Sequence, residues 1–389
     1  MPQLESMCVT PGPGSYFFGY YEKSPWSPSG RKMLACRASF EDRAPEAQDI
    51  LELGVIDLAG NAGFTPFART RAWNWQQGCM LQWLDENRVA FNDRRDGQFT
   101  GVIVDLPSGK ESLLPRPIYT VVSGGRLAVS LNFARLHRLR PGYGYAGVDD
   151  VNARVEAPAD DGVWLMDMTS GEVSLIYSVA QARSDLGDQA PAQGHHWFNH
   201  AQVAPGGQRM AFMHRWQTNV SGAWATRLVT IDTQGHNPYS LVHNGMCSHY
   251  DWRDDQHLLA FSRVRQSSTL RDGFHVFTDQ TRTFTTVAPQ ELGSDGHCSY
   301  SPDRQWIMND TYPDETDGCR SLMLIRAADL HIIDVGRFYG PFPDRVENRC
   351  DLHPRWNRDG RQICIDSVHE GRRAMYIMDV SEITGSESN

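Results

Sequence analysis

The sequence predicts an all-β protein, a single seven-bladed β-propeller with blades of three to four antiparallel strands. Three observations carry that expectation. One phrase recurs along the 389 residues. Each copy reads as a strand, a tight Asp/Gly/Pro turn and a second strand. Long helical periodicity is missing, while 34 Gly and 11 Trp suit many short strands with tight turns.

The phrase opens on a polar or His residue and runs through a turn into an apolar strand with a polar end. It appears as KSPWSPSGRKMLACR from Lys23, MLQWLDENRVAFNDR from Met80 and HAQVAPGGQRMAFMHRW from His200. It returns as HYDWRDDQHLLAFSR from His249, HCSYSPDRQWIMNDTY from His297 and HPRWNRDGRQICIDSVH from His353. A degenerate copy, TVVSGGRLAVSLNF, makes seven. Apolar stretches such as ILELGVIDL, TGVIVDL and AMYIMDV follow as third strands. Repeats at roughly 45–60 residues describe propeller blades. The predicted blades are approximately 15–62, 68–112, 115–178, 193–240, 243–290, 293–338 and 346–382. Residues 134–162 and 182–196 read as loops or insertions near the channel mouth. A β-helix or a pair of sandwiches is the alternative, but neither explains one in-register signature over the whole chain.

Aligned on the turn, His200, His249, His297 and His353 share one column, each four residues before the turn. The first strand of a propeller blade lines the channel, so one column predicts one ring. The ends of the second strands add a polar row, with Asp93, Arg94, Arg215, Asp310 and Asp366 among them. A structural reading stands beside this one: such histidines and carboxylates also serve as blade-to-blade hydrogen bonds and salt bridges.

Composition excludes several classes. With 40% hydrophobic and 10% aromatic residues the chain is globular. A net charge of −10 argues against nucleic-acid binding, which needs a basic face. No apolar run is long enough to cross a membrane. The start, MPQLESMCVTPGPGS, lacks the basic and apolar regions of a secretory signal, so a cytoplasmic location is expected. The eight Cys carry no C-x-x-C pair and are expected to be reduced thiols. Oligomeric state is not legible.

Imidazole is the commonest metal ligand, and thiolate selects borderline-soft ions. Cys350 stands three residues before His353, so His249, His297, Cys350 and His353 form a candidate tetrahedral set. A thiolate in such a set points to zinc as the divalent ion. A buried apolar Cys beside hydrogen-bonded histidines is the plain alternative.

The segments WFNHAQVAPGGQRMAFMHRW, SHYDW, DGHCSYSPD and DLHPRWNRDGRQICIDSVHEG resemble the blade signatures of oligogalacturonate lyases and their ulvan lyase relatives. The resemblance covers about residues 190–375. It implies a seven-bladed propeller, a metal at the channel mouth and β-elimination on glycans that contain uronic acid. His297 matches the family's first metal His. The family's Gln-x-x-His-Pro-His reads Cys350-Asp-Leu-His353-Pro-Arg355 here, which keeps one His and replaces the Gln and the second His. Set against the family pattern, that departure favours zinc over manganese, and it leaves a structural metal as an open alternative to a catalytic one.

Elimination from a uronide needs a neutralised carboxylate, a base for the C5 proton and an acid for the leaving oxygen. Arg215 is the candidate neutraliser, His196 or His200 the base, and Tyr145 the acid. Lys23, Arg94, Arg135 and His137 are candidate substrate contacts, and Trp216 a candidate sugar platform. The expected partner is a uronic-acid-containing oligosaccharide or polysaccharide. Two other classes remain: a glycoside hydrolase using paired carboxylates among Asp93, Asp310 and Asp366, or a non-catalytic propeller that binds a glycan or protein and keeps a structural metal.

Overall fold

The computed structural model describes residues 4–60, 63–122, 124–189, 193–218, 222–288, 292–343 and 346–385. Within them lie seven four-stranded antiparallel sheets, and the fold class is a seven-bladed β-propeller. Three short helices accompany them, Phe133–Leu139, Val179–Ser184 and Ser381–Thr384. No helix among the described residues is long and apolar enough to cross a membrane.

The chain divides into two compact units, one of Met1–Gly97, Gly101–Leu113 and Gly296–Asn389, the other of Gln98–Thr100 and Leu114–Asp295. The first unit holds the first, second, sixth and seventh blades. Its first blade runs from Ser15–Phe17 to Phe64–Thr70, past the predicted bound at residue 62. Its last blade takes only three strands from the end of the chain. The fourth is Met7–Cys8, which pairs antiparallel with Ala374–Asp379 through Met7 opposite Ile377. The second unit holds the third, fourth and fifth blades, over Thr120–Ser178, His196–Val242 and Cys247–Thr286.

Local chemistry explains the strand–turn–strand unit. In Asp105–Gly109 and Asp167–Gly171 the Asp carboxylate accepts backbone N–H groups inside the turn. A glycine with φ of 68° or 76° then closes it with a bond back to the Asp carbonyl. Those positions need glycine because a side chain there meets the steric penalty of the left-handed region. The inner strands are covered on both faces; the consecutive Met33, Leu34, Ala35 and Cys36 of the first blade are fully buried, as are Leu53 and Ile56.

The first strands of the fourth and fifth blades are not regular. Each breaks register at the histidine column, between Asn199 and Gln202 and between Cys247 and Tyr250. His200 has a φ of 53°, His353 of 41° and Met80 of 57°. A non-glycine residue in the left-handed region costs about 1 kcal/mol, and bulges re-aim side chains. The column is thus a backbone feature as well as a chemical one.

The predicted insertions overlap two of the helices, and Val179–Ser184 begins before the predicted bound at residue 182. Asn132 caps Phe133–Leu139 through its side chain, and Ser178 with Gln181 forms a capping box on Val179–Ser184. Part of the 182–196 segment, residues 190–192, lies outside the described residues.

Candidate functional site

Three histidine groupings form among the described residues, one in the first unit and two in the second. In the first unit, one ligand atom each from His297, Asp351 and His353 lie within 4.8 Å of one another, and all three residues are buried. Asp310 sets the geometry of His297. Its carboxylate accepts the His297 backbone N–H at 2.7 Å and faces Nδ1 at 2.9 and 3.0 Å. That places the proton on Nδ1 and leaves Nε2 with the lone pair, the arrangement that orients a metal-ligating imidazole. The His297 and His353 rings meet edge to face at 4.4 Å, with Tyr20 packed against both. Burial opposes ionisation of Asp351, but Arg349, His297 and Arg320 outweigh it and hold the carboxyl down to about 2. Arg349 Nε donates to it at 2.6 Å and Arg320 at 3.3 Å. Two imidazoles and a charged carboxylate are a chemically sound set for a divalent ion.

Of the predicted ligands, His297 and His353 belong to this group; its third member is Asp351. Burial pushes the Cys350 thiol up to about 11, so it holds its proton. The i, i+2 spacing of Asp351 and His353 was the signal for this, since an extended entry segment turns alternate residues to one side. Arg355, where the family pattern has its second His, is buried and clamps Asp366 with both terminal nitrogens while it donates to the Tyr20 carbonyl.

His249 lies in the second unit. Its Nδ1 faces Asp295 Oδ1 at 2.9 Å and Ser248 Oγ at 3.2 Å. Its ring meets that of His200 at 6.4 Å, and His200 meets Tyr143 edge to face at 5.4 Å. Arg215 is buried with Nη2 beside Met213 Sδ. Burial pushes the Cys247 thiol up to about 12, with Arg215 pulling it down and Asp295 up, so both charges act at this place. Asn199, beside His200, is fully buried, and neither side-chain polar atom finds a partner among the described residues.

Strand register separates His196 from Arg215. Trp197 is opposite Arg215, and His196 opposite Trp216, so adjacent positions point to opposite faces. On its own face His196 Nδ1 lies 2.9 Å from His214 Nε2, and His214 Nδ1 accepts Arg227 Nε at 3.0 Å. Arg227 has no lone pair to give, so His214 must carry its proton on Nε2 and pass the bond to His196. Burial first, then Arg183 and Arg135, depress His196 to about 4. Both rings are therefore neutral. Trp216 packs against both of them.

The other candidates fall into the packing in different ways. Tyr145 is fully buried, stacked on Phe133 at 4.3 Å and met edge-on by Phe99. Arg135 donates to Asp150, to the Asn152, Val155 and Glu156 carbonyls and to His196 O, and so ties the 150–156 loop down. Lys23 pairs with Glu22. His137 is half-buried, and burial lowers its pKa. Arg94 lines an open cleft with Arg69, Arg71 and Arg95. Of the strand-end carboxylates, Asp93 faces Arg95, Asp310 faces His297 and Asp366 faces Arg355.

No known family's sequence profile matches the chain, and no curated protein matches it. Solved structures do. An oligogalacturonate lyase in complex with manganese is similar at a TM-score of 0.70 and 16% identity, over 98% of this chain and 95% of that one. The oligogalacturonate lyase of Vibrio parahaemolyticus is similar at 0.67 and 14%, over 97% and 94%. The tricorn protease is similar at 0.52 and 10%, over 96% of this chain and 36% of its own. Likeness at such identities establishes the fold: this chain shares its propeller with the oligogalacturonate lyases.

Proposed function

We propose that the chain cleaves uronic-acid-containing oligosaccharides by β-elimination and holds a divalent metal at His297, Asp351 and His353. The observation that carries this reading is the buried His–Asp–His group, with Asp310 fixing one imidazole tautomer, in a fold shared with a manganese-bound oligogalacturonate lyase.

The protein's own residues supply the proton transfers. Arg215 offers the planar guanidinium that pairs with the uronate carboxylate and makes C5–H acidic. His249 accepts the C5 proton on Nε2, and Asp295 behind Nδ1 stabilises the imidazolium that forms. The electron pair becomes the C4–C5 double bond as the C4–O4 bond breaks. His200 or its neighbour Tyr143 returns a proton to O4. A divalent ion held by His297, Asp351 and His353 would supply positive charge to an oxygen bound to it. Its two nitrogens and one carboxylate oxygen suit zinc and manganese alike, because the thiolate that favoured zinc is not in the group. Paired-acid hydrolysis is disfavoured, since each candidate carboxylate is already held by Arg or His.

The test is to load the protein with zinc or manganese and supply oligogalacturonate or alternating uronate glycans. Elimination creates an unsaturated product that absorbs in the ultraviolet, and Arg215→Ala or His249→Ala lowers its rate by about 10²–10⁴-fold. New reducing ends without that absorbance would replace lyase with hydrolase. No product of either kind across the panel would leave a binding propeller.

A further inference from the structure

The first unit contains a cleft that neither the proposed metal-holding residues nor the proposed proton-transfer residues line. It has a volume of about 630 Å³ and is built from the strand ends of the first and second blades. Across three neighbouring strands of the first blade, Arg37, Glu52 and Arg69 stand in one row. Glu52 accepts Arg37 Nε at 2.8 Å and Arg69 Nη2 at 3.0 Å. From the second blade, the carboxylate of Asp93 accepts Thr70 Oγ1 and the Arg71 N–H at 3.0 Å, and Arg95 Nε at 2.5 Å. Arg95 also reaches Glu111 at 3.2 Å. Each carboxylate of the cleft is thus already in an ion pair, and four guanidiniums, of Arg69, Arg71, Arg94 and Arg95, line it beside three carboxylates, with Arg37 as a further partner of Glu52.

That local surplus of positive charge sits on a protein of net charge −10, where the overall field repels anions. Arg71 is exposed at the rim with no ion pair among the described residues. Ile50, 40% exposed, and Phe67 add apolar surface. Guanidiniums beside an apolar wall match a ligand with a C–H face and anionic substituents. We propose that this cleft is a second binding site for an anionic oligosaccharide, one that carries carboxylate or sulfate groups. The saccharide part rests on the proposed function; the anionic part rests on the charges alone.

The experiment is calorimetric titration of the full chain on a His249→Ala background, which suppresses turnover. The probes are a galacturonate hexamer, a sulfated uronate–hexosamine hexamer, a neutral maltohexaose and a single-stranded oligonucleotide. The anionic glycans are expected to bind, more weakly as salt rises, and the neutral one not at all. Arg71→Gln with Arg94→Gln weakens that binding about tenfold, the loss of about one charge-assisted contact. An unchanged thermal transition shows that the variant is folded, and Arg71→Lys with Arg94→Lys should retain much of the affinity. Comparing the two glycans tells carboxylate from sulfate. Affinity unchanged in the Gln variant, no binding of either glycan, or tighter binding of the oligonucleotide overturns the proposal. Glycan binding that depends on Arg71 and Arg94 without any unsaturated product from the unsubstituted protein would sink the lyase reading and leave the cleft standing. The reverse pattern would do the opposite.

Discussion

At the scale of single residues, the proposed metal site depends on a proton held in one place. Asp310 accepts from the backbone N–H and the ring Nδ1 of His297, so the lone pair falls on Nε2. Asp310→Asn keeps the shape but removes the charge that favours this tautomer. The expected outcome is a 10–100-fold loss of affinity for zinc or manganese, read by competition with a metal chelator. Unchanged affinity would mean that Asp310 is only a structural partner. Arg135 gives a contrasting case. A sequence candidate for substrate, it spends its donors on Asp150 and four carbonyl groups while almost fully buried. Arg135→Met is expected to cost about 3 kcal/mol in a urea transition, because it leaves the buried Asp150 with Arg138 alone. A loss of glycan affinity at unchanged stability would return Arg135 to the binding site.

At the scale of the element, the fourth blade shows how one strand pair serves two purposes on two faces. One face carries the hydrogen-bonded chain from Arg227 through the neutral rings of His214 and His196. The depressed pKa of His196, about 4 against an ordinary 6.5, sets a pH dependence. The folded state excludes the proton that the unfolded chain binds below 6.5. Stability is therefore full above about pH 6.5 and falls as pH drops towards 4, by up to about 3 kcal/mol. Denaturant midpoints for the wild type should show that slope, and His196→Gln should flatten it from a lower starting value. An equal slope in both would assign the effect to other groups. The opposite face carries Arg215. Both residues were legible as polar members of the strand pair. Their separation was not, because it needs the pairing register of His196 with Trp216.

At the scale of the whole molecule, the last blade depends on the first residues. Met7–Cys8 supply its fourth strand, and Val9 donates to the Met375 carbonyl. Deleting residues 1–10 exposes the Ala374–Asp379 edge. The deletion is expected to lower the apparent Tm and to promote self-association, read by thermal melting and light scattering. A truncated chain that melts like the full one would show the strand to be dispensable. A sequence that is read for repeats misses this strand, because two residues carry no pattern; only their partner identifies them.

The sequence by itself determined the seven-fold repeat, its turns and the column of His200, His249, His297 and His353. Those features are local: alternation with a period of two, and Asp or Gly at turn positions, are written within about twenty residues of each other. The tertiary structure decided which atoms meet. It grouped Asp351 with His297 and His353, gave His249 to Asp295, buried Tyr145 against Phe133 and turned Tyr143 towards His200. Register, bulges and left-handed residues such as His200 and His353 contribute to such placements, and they are set by packing beyond a single segment.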